Sequence, residues 1–304
     1  DSHSANACIG WKCEMTIYNL GSINVDIFYR VPHLPMAGET LSAVSMERGL
    51  GGKGANMSVA AARAAARTVH IGAVGKDGLW AKDRLTEFGV DTRHIHVAGT
   101  TGHAIINVDD QGENSIVLLA GANREITRDM VGAALSDASV GDILVMQNET
   151  NAQAEAAKMA KDLGLRVAYA AAPFEVAAIE AVLPYLDFLF VNQVEAEQLS
   201  IAMGKAVHDL GIEHVIVTLG SKGSIWYNQS LSASKRFASH KVTPVDTTGA
   251  GDTFTGYVLA GLDRGMPMEQ AIGLATKAAA IMVTRHGTSD VIPDLKDVQD
   301  HFGG

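Results

Sequence analysis

Gly249, Ala250 and Gly251 run directly into Asp252 within TPVDTTGAGDTFTGY (243–257), ahead of a segment of helical character. Three residues without bulk let backbone N–H groups approach a ligand closely. A helix starting near Asp252 would add its unpaired N–H groups and its dipole, which together form an anion site. A phosphoryl group in transfer carries the charge that such a turn stabilises. Asp252 then has two readings. It caps the helix, which aspartate does well, or it accepts the proton of an attacking hydroxyl. In the second role the dipole favours its ionised form and makes it a weak base. Phosphoryl transfer tolerates this, because positioning and electrostatics dominate it.

A second Gly-rich turn is GLGGKGANMSVAAARAA, from Gly49. A Walker A loop needs Ser or Thr after Gly-Lys, and Gly54 follows Lys53 here. A dinucleotide fingerprint needs a strand before the glycines, and none is evident from the sequence. A turn into a helix remains, with Lys53 and Asn56 able to meet sugar hydroxyls; a plain helix start is the other reading. Asn24 and Asp26 follow an apolar run and alternate onto one strand face, suited to vicinal hydroxyls or to a solvated edge. Asn192 and Glu195, in NQVEAE, end another apolar run. They suit a hydrated Mg²⁺, which uses few carboxylates, or an Asn-capped helix with Glu at its third position. His94 and His96 share a strand face, but no third metal ligand is near in sequence, so they read as structural. Asp109 and Asp110 read as a hairpin turn.

Alternating strands and helices must position these groups. Apolar runs beginning at Thr16, Thr68, Asp142, Arg166, Phe188 and His214 read as strands buried on both faces. Helical patterns lie between them, at 56–67, at 79–88, and from an Asn151 cap to near Gly164. This order predicts a three-layer α/β/α sandwich with a mainly parallel sheet and right-handed crossovers. Two segments, about 24–44 and 102–119, alternate apolar and polar residues instead and read as a small separate β-sheet lid. Its exposed edges predict a homodimer through the lid.

The chain has 304 residues with 24 Lys+Arg against 34 Asp+Glu, a net charge of −10, which argues against nucleic acid or an anionic membrane as partner. No apolar run nears the ~20 residues of a membrane span. Both cysteines, Cys8 and Cys13, lie in residues 1–14, read as an expression remnant or a native tail ahead of a kinase domain at 15–304. A body without cysteine excludes a disulfide scaffold and fits the cytoplasm.

DTTGAGDTF from Asp246, GSINVD from Gly21, GGKGAN from Gly51, NQVEAE from Asn192 and TLGSKG from Thr218 occur in the order found in the ribokinase family of carbohydrate kinases (PfkB-type), which the chain resembles from about Met15 onward. The resemblance implies ATP-dependent phosphorylation of a sugar hydroxymethyl group, with Asp252 as base and Gly249, Ala250 and Gly251 as anion hole. It further implies that Asn24, Asp26, Gly52, Lys53, Asn56 and Glu149 hold the sugar. Asn192, Thr218, Gly220, Ser221, Gly223 and Thr276 would serve ATP, and Glu195 would order Mg²⁺ through water. Asp246, Thr248, Met282, Arg285 and Gly287 would surround a monovalent cation such as K⁺, largely through carbonyls.

D-ribose is the expected acceptor. Fructose, a keto-deoxy sugar acid or a nucleoside is the alternative, and a non-catalytic sugar-binding regulator is the reading from another class. Ala170-Ala171 replaces the family's usual Asn-Pro, and His103 replaces an aliphatic lid residue. In a lid that covers the sugar, His103 would add a polar group there.

Overall fold

The computed structural model describes residues 15–303. The expected leading segment and both cysteines fall outside them. Along the chain run β1 (Thr16–Leu20), β2 (Asn24–Arg30), β3 (Ser45–Gly51), α1 (Lys53–Arg63), β4 (Arg67–Val74), α2 (Leu79–Glu87), β5 (Ile95–Val97), β6 (Gly102–Val108) and β7 (Asn114–Leu119). There follow α3 (Arg128–Leu135), β8 (Ile143–Gln147), α4 (Gln153–Asp162), β9 (Arg166–Ala170), α5 (Val176–Val182), β10 (Phe188–Asn192) and α6 (Gln193–Met203). The last elements are β11 (His214–Thr218), β12 (Ser224–Asn228), β13 (Ala233–Phe237), α7 (Ala250–Asp263), α8 (Met268–Met282) and α9 (Leu295–Phe302).

Nine strands form the main sheet, in the order β13-β12-β11-β10-β9-β8-β1-β4-β5. The pairs from β11 to β5 are parallel, whereas β12 and β13 add an antiparallel hairpin. Side chains alternate across the strands and so feed two cores. Ile17, Ile143 and Val145 pack with α1, α7 and α8, while Tyr18, Leu144 and Met146 pack with α3 and α4 on the other face. This is the expected three-layer sandwich. The lid is a second sheet of order β3-β2-β6-β7. β6 and β7 form the hairpin expected around Asp109 and Asp110, where the Asp109 carboxylate accepts the Gln111 and Glu113 amides.

Four local expectations need correction. The first lid segment, expected over 24–44, contains only β2; its partner is β3, the strand the sequence did not show before the Gly-rich turn. Ser45 to Arg48 are exposed edge residues, so they carry no apolar alternation. The first helix spans Lys53–Arg63 rather than 56–67, because Ala65 turns left-handed at φ 66°, a reversal that an Ala-rich run cannot announce. Asn151 does not cap α4. Its carboxamide bonds both backbone groups of Ile126, at 3.1 and 2.7 Å. His103 pairs in register with Val25, beside Asn24 and Asp26, which face the other way. Its Nδ1 lies 3.0 Å from the Thr101 carbonyl, so it adds nothing over Asn24 and Asp26.

Candidate active site

The chain leaves β1 toward β4 and β5, and later leaves β8 in the opposite direction toward β11. β1 and β8 are neighbours, so their carboxyl ends flank a topological switch point, where open α/β sheets bind ligands. Gly21 and Ser22 leave β1 there, and Asn148 and Glu149 leave β8. The Ser22 hydroxyl donates to the Glu149 carboxylate.

Two Gly-rich helix starts meet at this crevice, and their backbone groups distinguish them. At α1 the orphan amides are already occupied. The Lys53 N–H donates to Glu149 at 3.0 Å, the Gly54 N–H to Ser22 Oγ at 3.2 Å and the Ala55 N–H to the Ser22 carbonyl at 2.8 Å. Gly54 is required for contact: a Cβ there would lie 2.4 Å from Gly21 Cα, and one on Gly21 would lie 2.5 Å from Gly54 Cα. The two motif glycines therefore admit each other. At α7 the turn is left open. Gly249 adopts φ 74° and no side chain caps the helix. Among the described residues the Gly251 and Asp252 amides have no partner, and Gly251 is exposed, with nothing within 4 Å of a would-be Cβ. The free anion site of the pair is thus at 249–252.

Asp252 is the third residue of α7, not its cap, and only 7% exposed. Its Oδ2 accepts the Asn56 carboxamide at 2.9 Å, and the Asn56 Oδ1 accepts the Ser289 hydroxyl at 2.7 Å. The capping reading of Asp252 is therefore set aside. The weak-base expectation is reversed as well: burial pushes its carboxyl above the ordinary range, with the Glu149 charge adding to the rise. The Lys53 ammonium and the Asn56 amide pull it part of the way back. Lys53 itself is held protonated, chiefly by the Asp252 charge and then by Glu149 and Glu195. One cation thus serves three carboxylates.

Asn24 and Asp26 leave the switch point on β2. Asn24 is buried, and its Oδ1 accepts Asn123 Nδ2 at 2.8 Å; Asn123 Oδ1 in turn accepts the Ile23 amide at 2.9 Å. The solvated-edge reading fails for Asn24. Asp26 lies against Gly51, where any Cβ would sit 2.0 Å from its carboxylate. Burial, then the charge of Glu149, pushes Asp26 up to about 6. Gly52, at φ 94°, turns the chain from β3 into α1 beside them.

On the far side of the crevice, Asn192 and Thr218 are register partners at the carboxyl ends of β10 and β11. Asn192 and Glu195 form the reciprocal cap that the sequence left open, with both bonds at 2.8 Å. The carboxylate also feels Lys53 and Asp252, so the cap itself stands near the base. Gly220 and Ser221 lie in a tight turn that ends at Gly223, where φ is 90° and a Cβ would meet the Phe237 carbonyl at 1.8 Å. Thr276 donates to Ile272 at 2.7 Å within α8.

The five positions expected around a cation lie on two segments that meet, since the Val245 and Asp246 amides both donate to the Val283 carbonyl, at 2.7 and 3.1 Å. Asp246 accepts the Thr248 amide at 2.9 Å and the Gly287 amide at 3.4 Å. The Arg285 guanidinium is engaged elsewhere, by the Val291 carbonyl and Asp297, so its charge does not compete with a cation at Asp246. Met282 contributes packing: its Cε would stand 3.2 Å from a Cβ on Gly249. These residues fit a cation beside the 249–252 turn. Three supporting residues, Ser22, Asn123 and Ser289, are not among those expected; each carries a hydrogen-bonding side chain, in GSINVD, GANRE and GTSD, but nothing in the spacing marks it out.

Residues 16–295 match the family described as pfkB family carbohydrate kinase. The chain is 36% identical over 298 residues to the ribokinase of Haemophilus influenzae, covering 93% of this chain and 96% of that one. Among solved structures, it is similar to ribokinase from Thermotoga maritima with TM-score 0.85 and 33% identity, over 95% of this chain and all of that one (100%). It is also similar to Arabidopsis thaliana ribokinase complexed with ribose and ATP, with TM-score 0.83 and 29% identity, over 94% and 98% of the two chains.

Proposed function

Because this chain belongs to the pfkB family of carbohydrate kinases, we propose that it transfers the γ-phosphoryl group of ATP to the terminal hydroxyl of D-ribose. The observation that carries this reading is the buried Asp252 beside two unpartnered amides and Lys53, at the switch point that also holds Asn24, Asp26 and Asn56. A module that only binds sugar has no use for a free anion turn next to a buried carboxylate. The curated relative from Haemophilus influenzae is named ribokinase, and the Arabidopsis thaliana structure holds ribose and ATP. Both support ribose as acceptor and ATP as donor.

In this account Asn24, Asp26 and the free N–H of Asn56 hold the sugar hydroxyls and turn the terminal one toward Asp252. Asp252 takes its proton as the oxygen bonds to the γ-phosphorus in line with the departing ADP. Sugar phosphate, ADP and one proton result. The Gly251 and Asp252 amides and Lys53 meet the charge on the transferring group. The loop with Gly220, Ser221 and Gly223, together with Asn192, Thr218 and Thr276, receives the nucleotide. Mg²⁺ bound with ATP supplies further charge neutralisation, and Glu195 would order its waters. K⁺ near Asp246, Thr248 and Gly287 would add fixed positive charge behind the turn.

The domain runs over 15–304. The outer lid strand β7 exposes Ile116, Val117, Leu118 and Leu119 in succession, an edge that suits pairing with a second lid; a dimer mass by light scattering is expected. No described helix is long and apolar enough to cross a membrane, and the cytoplasm, where ATP is abundant, is the location this reading takes for the activity. The test is ADP release, in K⁺ and in Na⁺ buffers, with ribose, fructose, a keto-deoxy sugar acid and a nucleoside. Turnover fastest with ribose and faster in K⁺ is expected. Turnover with another acceptor alone would replace ribose, and equal rates in the two salts would remove the cation.

A further inference from the structure

Ser289 is fully buried, and its hydroxyl donates to Asn56 Oδ1 at 2.7 Å. The segment that carries it is clamped from several sides. Thr288 Oγ1 donates to the Leu50 carbonyl of the lid strand at 2.6 Å, Arg285 to the Val291 carbonyl at 2.9 Å and the Tyr257 hydroxyl to the Pro293 carbonyl at 2.6 Å. Ser289 is thus presented by a fixed piece of backbone.

A carboxamide has one acceptor and two N–H donors at its end, and its two flipped orientations have nearly the same shape. Hydrogen bonding alone chooses between them. In Asn56 one N–H goes to Asp252 at 2.9 Å and the oxygen goes to Ser289, which leaves one N–H free. The flipped orientation would set the carboxamide oxygen against the Asp252 carboxylate, two acceptors face to face.

We propose that Ser289 is a positioning residue: Asp252, which only accepts, sets which way the Asn56 carboxamide faces, and Ser289 pins its oxygen so that the second N–H stays aimed at the sugar hydroxyl. The proposal rests on the kinase reading above. Without the Ser289 hydroxyl the buried Asn56 oxygen loses its donor, and the carboxamide is held only through its bond to Asp252, free to rock about it. The lid strand and the base partner are also tied through adjacent residues, Thr288 and Ser289.

The test compares Ser289→Ala and Ser289→Thr, alone and in an Asn56→Ala background. Ser289→Ala is expected to lower kcat/KM for ribose about tenfold, on the scale of an unpaired buried acceptor, with KM for ATP unmoved. Ser289→Thr, which keeps the hydroxyl, is expected to restore most of that loss. In the Asn56→Ala background Ser289→Ala should change nothing further, since its target is gone. Full activity in Ser289→Ala, or an undiminished effect without Asn56, would overturn the proposal. A second readout does not depend on turnover: in protein labelled with ¹⁵N-asparagine, the Asn56 carboxamide signal should shift and exchange faster with water in Ser289→Ala but not in Ser289→Thr. An unmoved signal in Ser289→Ala refutes the lock. Absence of turnover in the unaltered protein would defeat the kinase reading and leave this signal to decide the lock.

Discussion

Replacement of Asp26 by Asn separates the folding role of this residue from its binding role. Burial and the neighbouring Glu149 raise the Asp26 pKa from 3.8 to about 6. Below 3.8 the folded and unfolded chains both hold the proton, and the carboxyl makes no difference. Between 3.8 and about 6 the folded chain holds a proton that the unfolded chain has released. The stability this group contributes is therefore present at low pH and lost as pH rises through about 6. The span corresponds to a penalty of about 3 kcal/mol at neutral pH, an upper figure for a partly exposed group. Asn cannot ionise and escapes it. In urea titrations of the sugar-free protein, Asp26→Asn should be about 1–3 kcal/mol more stable at pH 8, with the gain fading toward pH 4. Ribose KM should meanwhile rise about 10- to 100-fold through loss of charge-assisted hydrogen bonds. A variant less stable at pH 8, or a gain that does not depend on pH, would refute the argument that Asp26 is held in the fold at a cost for the sake of its ligand.

Gly251→Ala probes the anion turn without disturbing the fold: its Cβ meets nothing within 4 Å, so stability should hold or rise by up to about 1 kcal/mol while kcat falls about tenfold or more. A loss of stability without loss of kcat would show that the glycine serves only the chain. His70 is fully buried between Ser58 and the Gly21 carbonyl, and burial pushes its imidazole down to about 4 from 6.5. The unfolded chain binds the proton first as pH falls, so this contribution is present above pH 6.5 and lost toward pH 4, up to about 3 kcal/mol. His70→Gln should flatten that slope in urea titrations, and an unchanged slope would contradict it.

Much of the architecture was legible because periodicity reports burial. Runs such as FLFVN (188–192) are short and apolar on both faces, the pattern of central strands. β3 was not, since an edge strand of a lid buries little and SMERGLG shows no alternation. The hairpin of β12 and β13 was missed for a similar reason, as its second strand is mostly exposed. At the site, residue type and spacing pointed to Asp252 and to both Gly-rich turns but could not separate them. The difference lies in long-range partners: Glu149 is 96 residues from Lys53, and it is Glu149 that fills the amide at α1. The direction of the Asp252 pKa is not legible because the helix start shows in the sequence and the burial around it does not. Nor is Ser289, whose partner is 233 residues away.

The central claim is that Asp252 removes the proton from a sugar hydroxyl poised before the 249–252 turn. Asp252→Asn keeps the side-chain shape and an oxygen for the Asn56 donor, so the fold and ribose affinity should survive. ADP release coupled to ribose consumption is predicted to fall by about 10²- to 10⁴-fold in kcat, the usual range for a lost general base. Near-full turnover by a folded, ribose-binding Asp252→Asn protein would contradict the account.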